Sequence, residues 1–163
     1  MLKEKKLFKI LTGLFILASS AIYGEEKENS QKVFFRNQAT TYKGAEANFT
    51  GDVKGERLFP VNKGTNFSGS YVTFASGART VWHTHPAGQT IVVVSGVCWT
   101  QEWGGAKIEA KAGDAVWCPP DVKHWHGASN DTEMTHFVLT GVDKEGKNVV
   151  WLEKVTDEEY LKD

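Results

Sequence analysis

Five histidines occur in this 163-residue chain. All five fall in three short stretches: "VWHTHPAGQT" (81–90), "KHWHG" (123–127) and "MTHF" (134–137). His83 and His85 stand one residue apart, as do His124 and His126; His136 stands alone. On a β-strand, residues i and i+2 point to the same side, about 7 Å apart along the strand. Each pair can therefore offer two imidazoles to one centre. Gln89 follows a turn made by Pro86, Ala87 and Gly88. It can return on the neighbouring strand with its amide oxygen turned toward the same point. Clustered neutral imidazoles with an oxygen donor suit a divalent transition metal.

The surrounding pattern supplies strands to carry these residues. Short apolar runs ("SGSYVTFASG", "RTVWHTH", "QTIVVVSG", "VCWTQEW", "AKIEAKAGD", "AVWCPP", "EMTHFVLTG", "NVVWLEKV") alternate with turns rich in Gly, Pro, Asn and Asp. Many short strands at this spacing predict an all-β sandwich or barrel. In "QTIVVVSG" both alternating sets are apolar, so both faces of that strand are expected to be covered. One cover is the barrel interior; the other is a second layer or a partner subunit, which favours a homodimer or homotetramer. Only the end reads as helical. "TDEEYLK" offers Thr156 as N-cap with Glu159 three residues on, a capping box.

Composition bounds the rest. Nineteen basic residues balance twenty acidic ones, so nothing points to a nucleic-acid partner. Residues 1–24 have a lysine-rich start, an apolar run and a small-residue end. They read as a secretory signal peptide, with an apolar run too short for a comfortable membrane span. Its removal takes four lysines and one glutamate and shifts the formal charge from −1 to −4. Residues 25–32 read as a polar linker and 33–163 as one domain, exported to a periplasmic or extracellular location. Cys98 and Cys118 could pair in such a compartment. A small buried thiol beside tryptophan is equally ordinary, and spacing alone does not supply disulfide geometry. Trp99, Trp103, Trp117 and Trp125 could wall a pocket, although core or interface packing is the favoured role. Arg79 could steer an anion but reads more simply as a surface arginine.

Here the sequence resembles the cupins. Gly77, His83, His85, Gln89 and Gly96 keep every spacing of the first cupin motif, with Gln89 at the place of a glutamate. Gly113, Pro119 and His124 keep the second motif, with Asp121 at its second glycine and Ala128 at its asparagine. The resemblance covers about residues 65 to 155 and implies a cupin-type jelly-roll β-barrel with a metal in its mouth. Within that family, "GARTVWHTHPAGQT", "GDAVWCPPDVKHWHGA" and "VTDEEY" look like the small bacterial cupins with hydroxynitrile lyase activity. That resemblance implies His83, His85, Gln89 and His124 as metal ligands. Manganese is the foremost metal; iron, zinc, cobalt and nickel are compatible alternatives. His126 and His136 match positions lining the site, and His136 is preferred as the general base. The implied substrates are cyanohydrins or related small hydroxyl and carbonyl compounds. Two other readings stay open: an iron-dependent dioxygenase, or a non-catalytic secreted cupin that binds metal or a small ligand. Replacing the glutamate by Gln89 leaves a divalent ion its full charge, which strengthens it as a Lewis acid.

Overall fold

The computed structural model describes residues 30–162. The expected leader, residues 1–24, and most of the linker, 25–32, lie outside the described residues. Thirteen strands run β1 (Thr40–Lys43), β2 (Phe49–Thr50), β3 (Val53–Phe59), β4 (Phe67–Phe74), β5 (Arg79–Thr80), β6 (His83–Thr84), β7 (Gln89–Ser95), β8 (Val97–Glu102), β9 (Ile108–Lys111), β10 (Ala115–Cys118), β11 (His124–Ala128), β12 (Met134–Gly141) and β13 (Val150–Trp151). One helix follows, α1 (Asp157–Leu161). The expected all-β jelly roll with a short C-terminal helix is what forms.

Two antiparallel sheets build the barrel. The first has the order β1-β3-β4-β12-β7-β10. The second centres on β11, which pairs β5 and β6 along one edge and β8 along the other. Period-two alternation gives the barrel its inside. On β7, Gln89, Ile91 and Val93 are buried, and on β12 so are Met134, His136, Val138 and Thr140. Phe74, Ile91, Met134 and Val53 fill one part of the interior as a dry core. The outward row of β7 ends in Val94, which is 46% exposed. The second cover expected for that strand is thus not supplied by this chain's described residues.

The run "RTVWHTH" departs from expectation, because it is two short strands rather than one. β5 pairs β2 through Thr80 and Phe49, and β6 pairs β13 through Thr84 and Val150. Between them the backbone amides of Val81 and Trp82 donate to Asn48 and Glu153 instead of a ladder partner. At the break Trp82 joins Trp125, Val155 and Tyr160 in a second apolar cluster on the other face of the sheet. Trp99 packs against it, so Trp99 and Trp125 serve packing; Trp103 and Trp117 are exposed, at 58% each.

Helix α1 begins as expected. Thr156 Oγ1 accepts from the Glu159 amide, and the Glu159 carboxylate accepts from the Thr156 amide. The surface reading of Arg79 is overturned, and with it the anion-steering one. Arg79 is only 4% exposed. Its guanidinium donates to the Val155 carbonyl and to Asp157, 2.5 Å away, and lies over the Tyr160 ring. It anchors α1 to the sheet and does not line the cavity beside the histidines. Cys98 and Cys118 are free, buried thiols, each pushed up to about 12 by burial, so neither ionises near neutral pH.

Two turns need a left-handed backbone. Gly96, in the β7–β8 turn, has φ +72°, and a Cβ there would lie 2.0 Å from the Glu133 carbonyl oxygen. Asp121 has φ 60°, at the position where the second cupin motif carries glycine. Its amide donates to the His85 carbonyl at 3.0 Å, tying the two histidine-bearing segments together. An L-residue in this region costs about 1–2 kcal/mol, less for aspartate, and glycine removes that strain. Asp121→Gly is therefore expected to raise stability by up to about 1 kcal/mol. Thermal melts of the two proteins check it; a lower midpoint in the variant would show that the side chain matters more than the strain.

Candidate metal centre

His124 on β11 lies directly across from His83 on β6 in the ladder. Cross-strand partners place their side chains on the same face, and the two rings sit 4.3 Å apart between centroids. His85, just past the end of β6, adds a third ring 5.0 Å from His83. One ring nitrogen from each of the three lies within 4.8 Å of the others, and all three residues are buried.

The orientation of each ring is set by the backbone. His83 Nδ1 donates to the Val81 carbonyl at 2.9 Å, His124 Nδ1 to Val122 at 2.8 Å, and His85 Nδ1 to Asn148 at 2.5 Å. A carbonyl only accepts, so each Nδ1 carries the proton and each Nε2 keeps its lone pair. Such outer hydrogen bonds orient metal-binding imidazoles. His85 Nε2 and His124 Nε2 are buried without a partner. So is the amide oxygen of Gln89, whose Nε2 donates to Thr140 Oγ1 at 3.0 Å. Thr140 thus fixes which end of the amide is free.

Buried polar atoms without partners are rare because each costs free energy. Here several of them belong to one cluster: imidazole nitrogens with lone pairs and one amide oxygen. That donor set fits a divalent cation of the first transition row. His83, His85, Gln89 and His124 would hold it.

His126 and His136 sit beside this cluster as a second pair. His126, on β11, is 5.2 Å from His83 between ring centroids; His136 comes from β12 in the opposite sheet. His136 Nε2 and His126 Nδ1 are 3.3 Å apart, so one ring donates to the other. His126 Nε2 and His136 Nδ1 remain buried and unpartnered. Phe74 packs against both rings.

A cavity of about 380 Å³ opens onto this group and is lined by His85, Gln89, His126 and His136. That volume is typical of a small-molecule site. The segment before residue 65, which carries no motif, supplies part of the wall through Tyr42, Phe49 and Arg57. None of Trp99, Trp103, Trp117 and Trp125 lines it; Trp151 does. Thr140, Asn148 and Trp151 escaped the sequence reading. Thr140 was findable, since it shares the inward row of His136 at period two. Asn148 holds His85 through its backbone carbonyl, which no side-chain pattern reveals.

The comparisons with known proteins agree with this architecture. A family model described as a cupin domain matches residues 70–140. A curated relative, the (R)-mandelonitrile lyase of Granulicella tundricola, is 49% identical over 112 residues, spanning 69% of this chain and 85% of that one. The chain belongs to the cupin family. Among solved structures, a cupin-like protein of Thermotoga maritima is 38% identical with a TM-score of 0.69, covering 81% of this chain and 96% of that one. The polyketide cyclase RemF of Streptomyces resistomycificus shares the fold at 16% identity and a TM-score of 0.63, covering 80% and 91%. With its three-histidine cluster, this cupin is a candidate metal-binding protein.

Burial sets the charge state of the centre. It lowers His85 and His136 from 6.5 to about 4 and holds His83, His124 and His126 below 6.5. Neighbouring imidazoles lower His83 and His126 further. All five rings are therefore neutral at neutral pH, as metal binding requires. For each ring the folded value lies below the unfolded one. Between about pH 6.5 and 4 the unfolded chain binds more protons, so stability falls as pH falls through that window. Each such ring contributes a slope of up to about 1.4 kcal/mol per pH unit. Metal-stripped protein is expected to melt progressively lower from pH 7 to 4. A flat profile would show that the rings are not buried neutral.

Proposed function

We propose that this cupin is a metal-dependent lyase that cleaves or forms cyanohydrins or related adducts of small carbonyl compounds. One observation carries the reading: the cluster of His83, His85, His124 and Gln89, with bare nitrogens on His85 and His124 and a bare Gln89 oxygen, adjoins a buried histidine pair free to move a proton. The 49% identical relative named as (R)-mandelonitrile lyase supports the reaction class. Manganese is the metal we propose, with iron, zinc, cobalt or nickel compatible with the same nitrogen and oxygen donors.

A divalent ion held there supplies Lewis-acid stabilisation of negative charge that develops on a substrate oxygen. The chain does the rest. The cavity takes the small substrate, and its inner end, walled by the buried Phe74, His126 and His136, keeps water from the reacting atoms. A free nitrogen of the His126–His136 pair accepts the substrate hydroxyl proton, with His136 the preferred base. The carbon–carbon bond to the nitrile then breaks. Its electron pair leaves as cyanide, the oxygen's pair completes the carbonyl, and the imidazolium returns the proton to cyanide. The two rings act as one unit, because a proton gained by one is shared along their hydrogen bond. Gln89 adds no charge, and Thr140 holds its amide in register.

We also propose that residues 1–24 direct export, and that the chain works as a homodimer or homotetramer. The uncovered Val94 on β7 and the exposed Trp117 on the adjoining strand β10 support association. Light scattering on the purified protein would show more than one chain per particle, and a monomer at micromolar concentration would overturn that.

The test of function pairs metal content with turnover of mandelonitrile. Wild type is expected to carry near one manganese per chain. His124→Ala should lose metal and turnover together. His136→Ala should keep the metal and lose about 10²–10⁴-fold in turnover. Full turnover in His136→Ala would remove it from the proton transfer. Iron with oxygen consumption would replace the lyase by an oxygenase.

A further inference from the structure

Arg57 stands on β3 in the same alternating row as Val53 and Gly55, both buried. That is the inward row: Val53 lies opposite Phe74, Gly55 opposite Val72 and Arg57 opposite Ser70 in the pairing with β4. On the next strand, His136 pairs Val72 and Val138 pairs Ser70. Arg57 is thus two strands across and one inward position along from His136, about 12 Å between Cα atoms in a flat sheet and less in a curved one. Its side chain lines the same cavity as His126 and His136. Arg57 is itself exposed, at the outer end of this row, so its guanidinium sits at the rim of the cavity. Among the described residues no carboxylate forms an ion pair with Arg57; the neighbouring Arg36 takes Glu56 on the outward row instead.

The rest of the cavity has the same sign. Lys43 also lines it, although its charge is shared with Asp52 at 3.5 Å. None of the described residues lining the cavity is acidic. Ser68, Ser70 and Asn48 add uncharged donors to the wall. A neutral cyanohydrin makes no use of this arrangement. A cleft with cationic groups at its mouth concentrates anions, and guanidinium pairs with carboxylate through two parallel hydrogen bonds.

We propose that the physiological substrate is a small carboxylic acid bearing a hydroxyl or carbonyl group, anchored through its carboxylate by Arg57 at the cavity mouth. The oxygen-bearing carbon then faces the His126–His136 pair. Lys43 adds long-range attraction. This rests on the lyase reading only in using the same cavity and the same histidine pair. Mandelonitrile then fits the site as a neutral analogue lacking the anchor.

Calorimetric titration of the purified, metal-containing protein with mandelate and with its neutral isostere mandelamide tests the assignment. Wild type is expected to bind mandelate on the order of tenfold tighter than mandelamide, a gap that shrinks as salt is raised. In Arg57→Gln the ratio should fall several-fold, and Arg57→Lys should recover part of it. A ratio unchanged in Arg57→Gln would overturn the proposal, because the preference would then arise elsewhere in the site. So would equal binding of acid and amide by wild type. Mandelonitrile turnover, measured on the same samples, separates the two readings. Turnover without an Arg57-dependent preference sinks only the carboxylate anchor. An Arg57-dependent preference without turnover sinks the lyase and leaves the anchor standing.

Discussion

An imidazole taken out of water must find partners for two ring nitrogens, and this barrel buries five such rings, each with another ring at 5.0 Å or less between centroids. Each unsatisfied buried polar atom costs about 1–3 kcal/mol. The chain meets part of that cost with backbone carbonyls, which hold Nδ1 of three rings. It leaves the inward nitrogens of His85 and His124 and the Gln89 oxygen bare. Much of the architecture around the centre follows from keeping those bare atoms aimed at one point. The left-handed turn at Asp121 ties the two histidine segments together through the His85 carbonyl. Cross-strand pairing holds His83 and His124 in line. Stability is given up at the centre in exchange for a preorganised donor set, the usual relation between strain and function.

The outer face of the second sheet acts as the counterweight. Trp82 and Trp125 alternate with the histidines along their segments and bury themselves against Val155, Tyr160 and Trp99. Their burial makes the opposite facing of each segment expensive, since a one-residue slip would exchange tryptophan for histidine. Arg79 and α1 close this layer. In their ion pair Asp157 is almost fully exposed, so Arg79's contribution lies mainly in the buried hydrogen bonds to Val155.

Electrostatically the cavity is defined by what its charges lack. Gln89 stands where the cupin motif carries glutamate, and no described lining residue is acidic. The five rings are neutral because burial favours their uncharged forms. A cation in the centre would therefore keep its full charge, and Arg57 would reinforce it from the mouth. Both features favour anionic or oxygen-rich ligands over cationic ones.

By itself the sequence determined the all-β class, the capping box of α1 and the identity of the histidine cluster. These depend on local rules: period two on strands, turn chemistry, and motif spacing that survives translation into a barrel. Gln89 was legible for the same reason, since a short turn returns it beside His85. The tertiary structure decided the rest. It split "RTVWHTH" into two strands, because each half found a different partner. It buried Arg79, because α1 brought a carbonyl and a carboxylate to it from 76 and 78 residues away. It joined His126 to His136 across two sheets and placed Arg57 in the inward row beside a distant Ser70. Local patterns show which way a side chain faces along its strand, but not what faces it from another sheet. That depends on which strands pair and in what register, a property of the whole folded barrel.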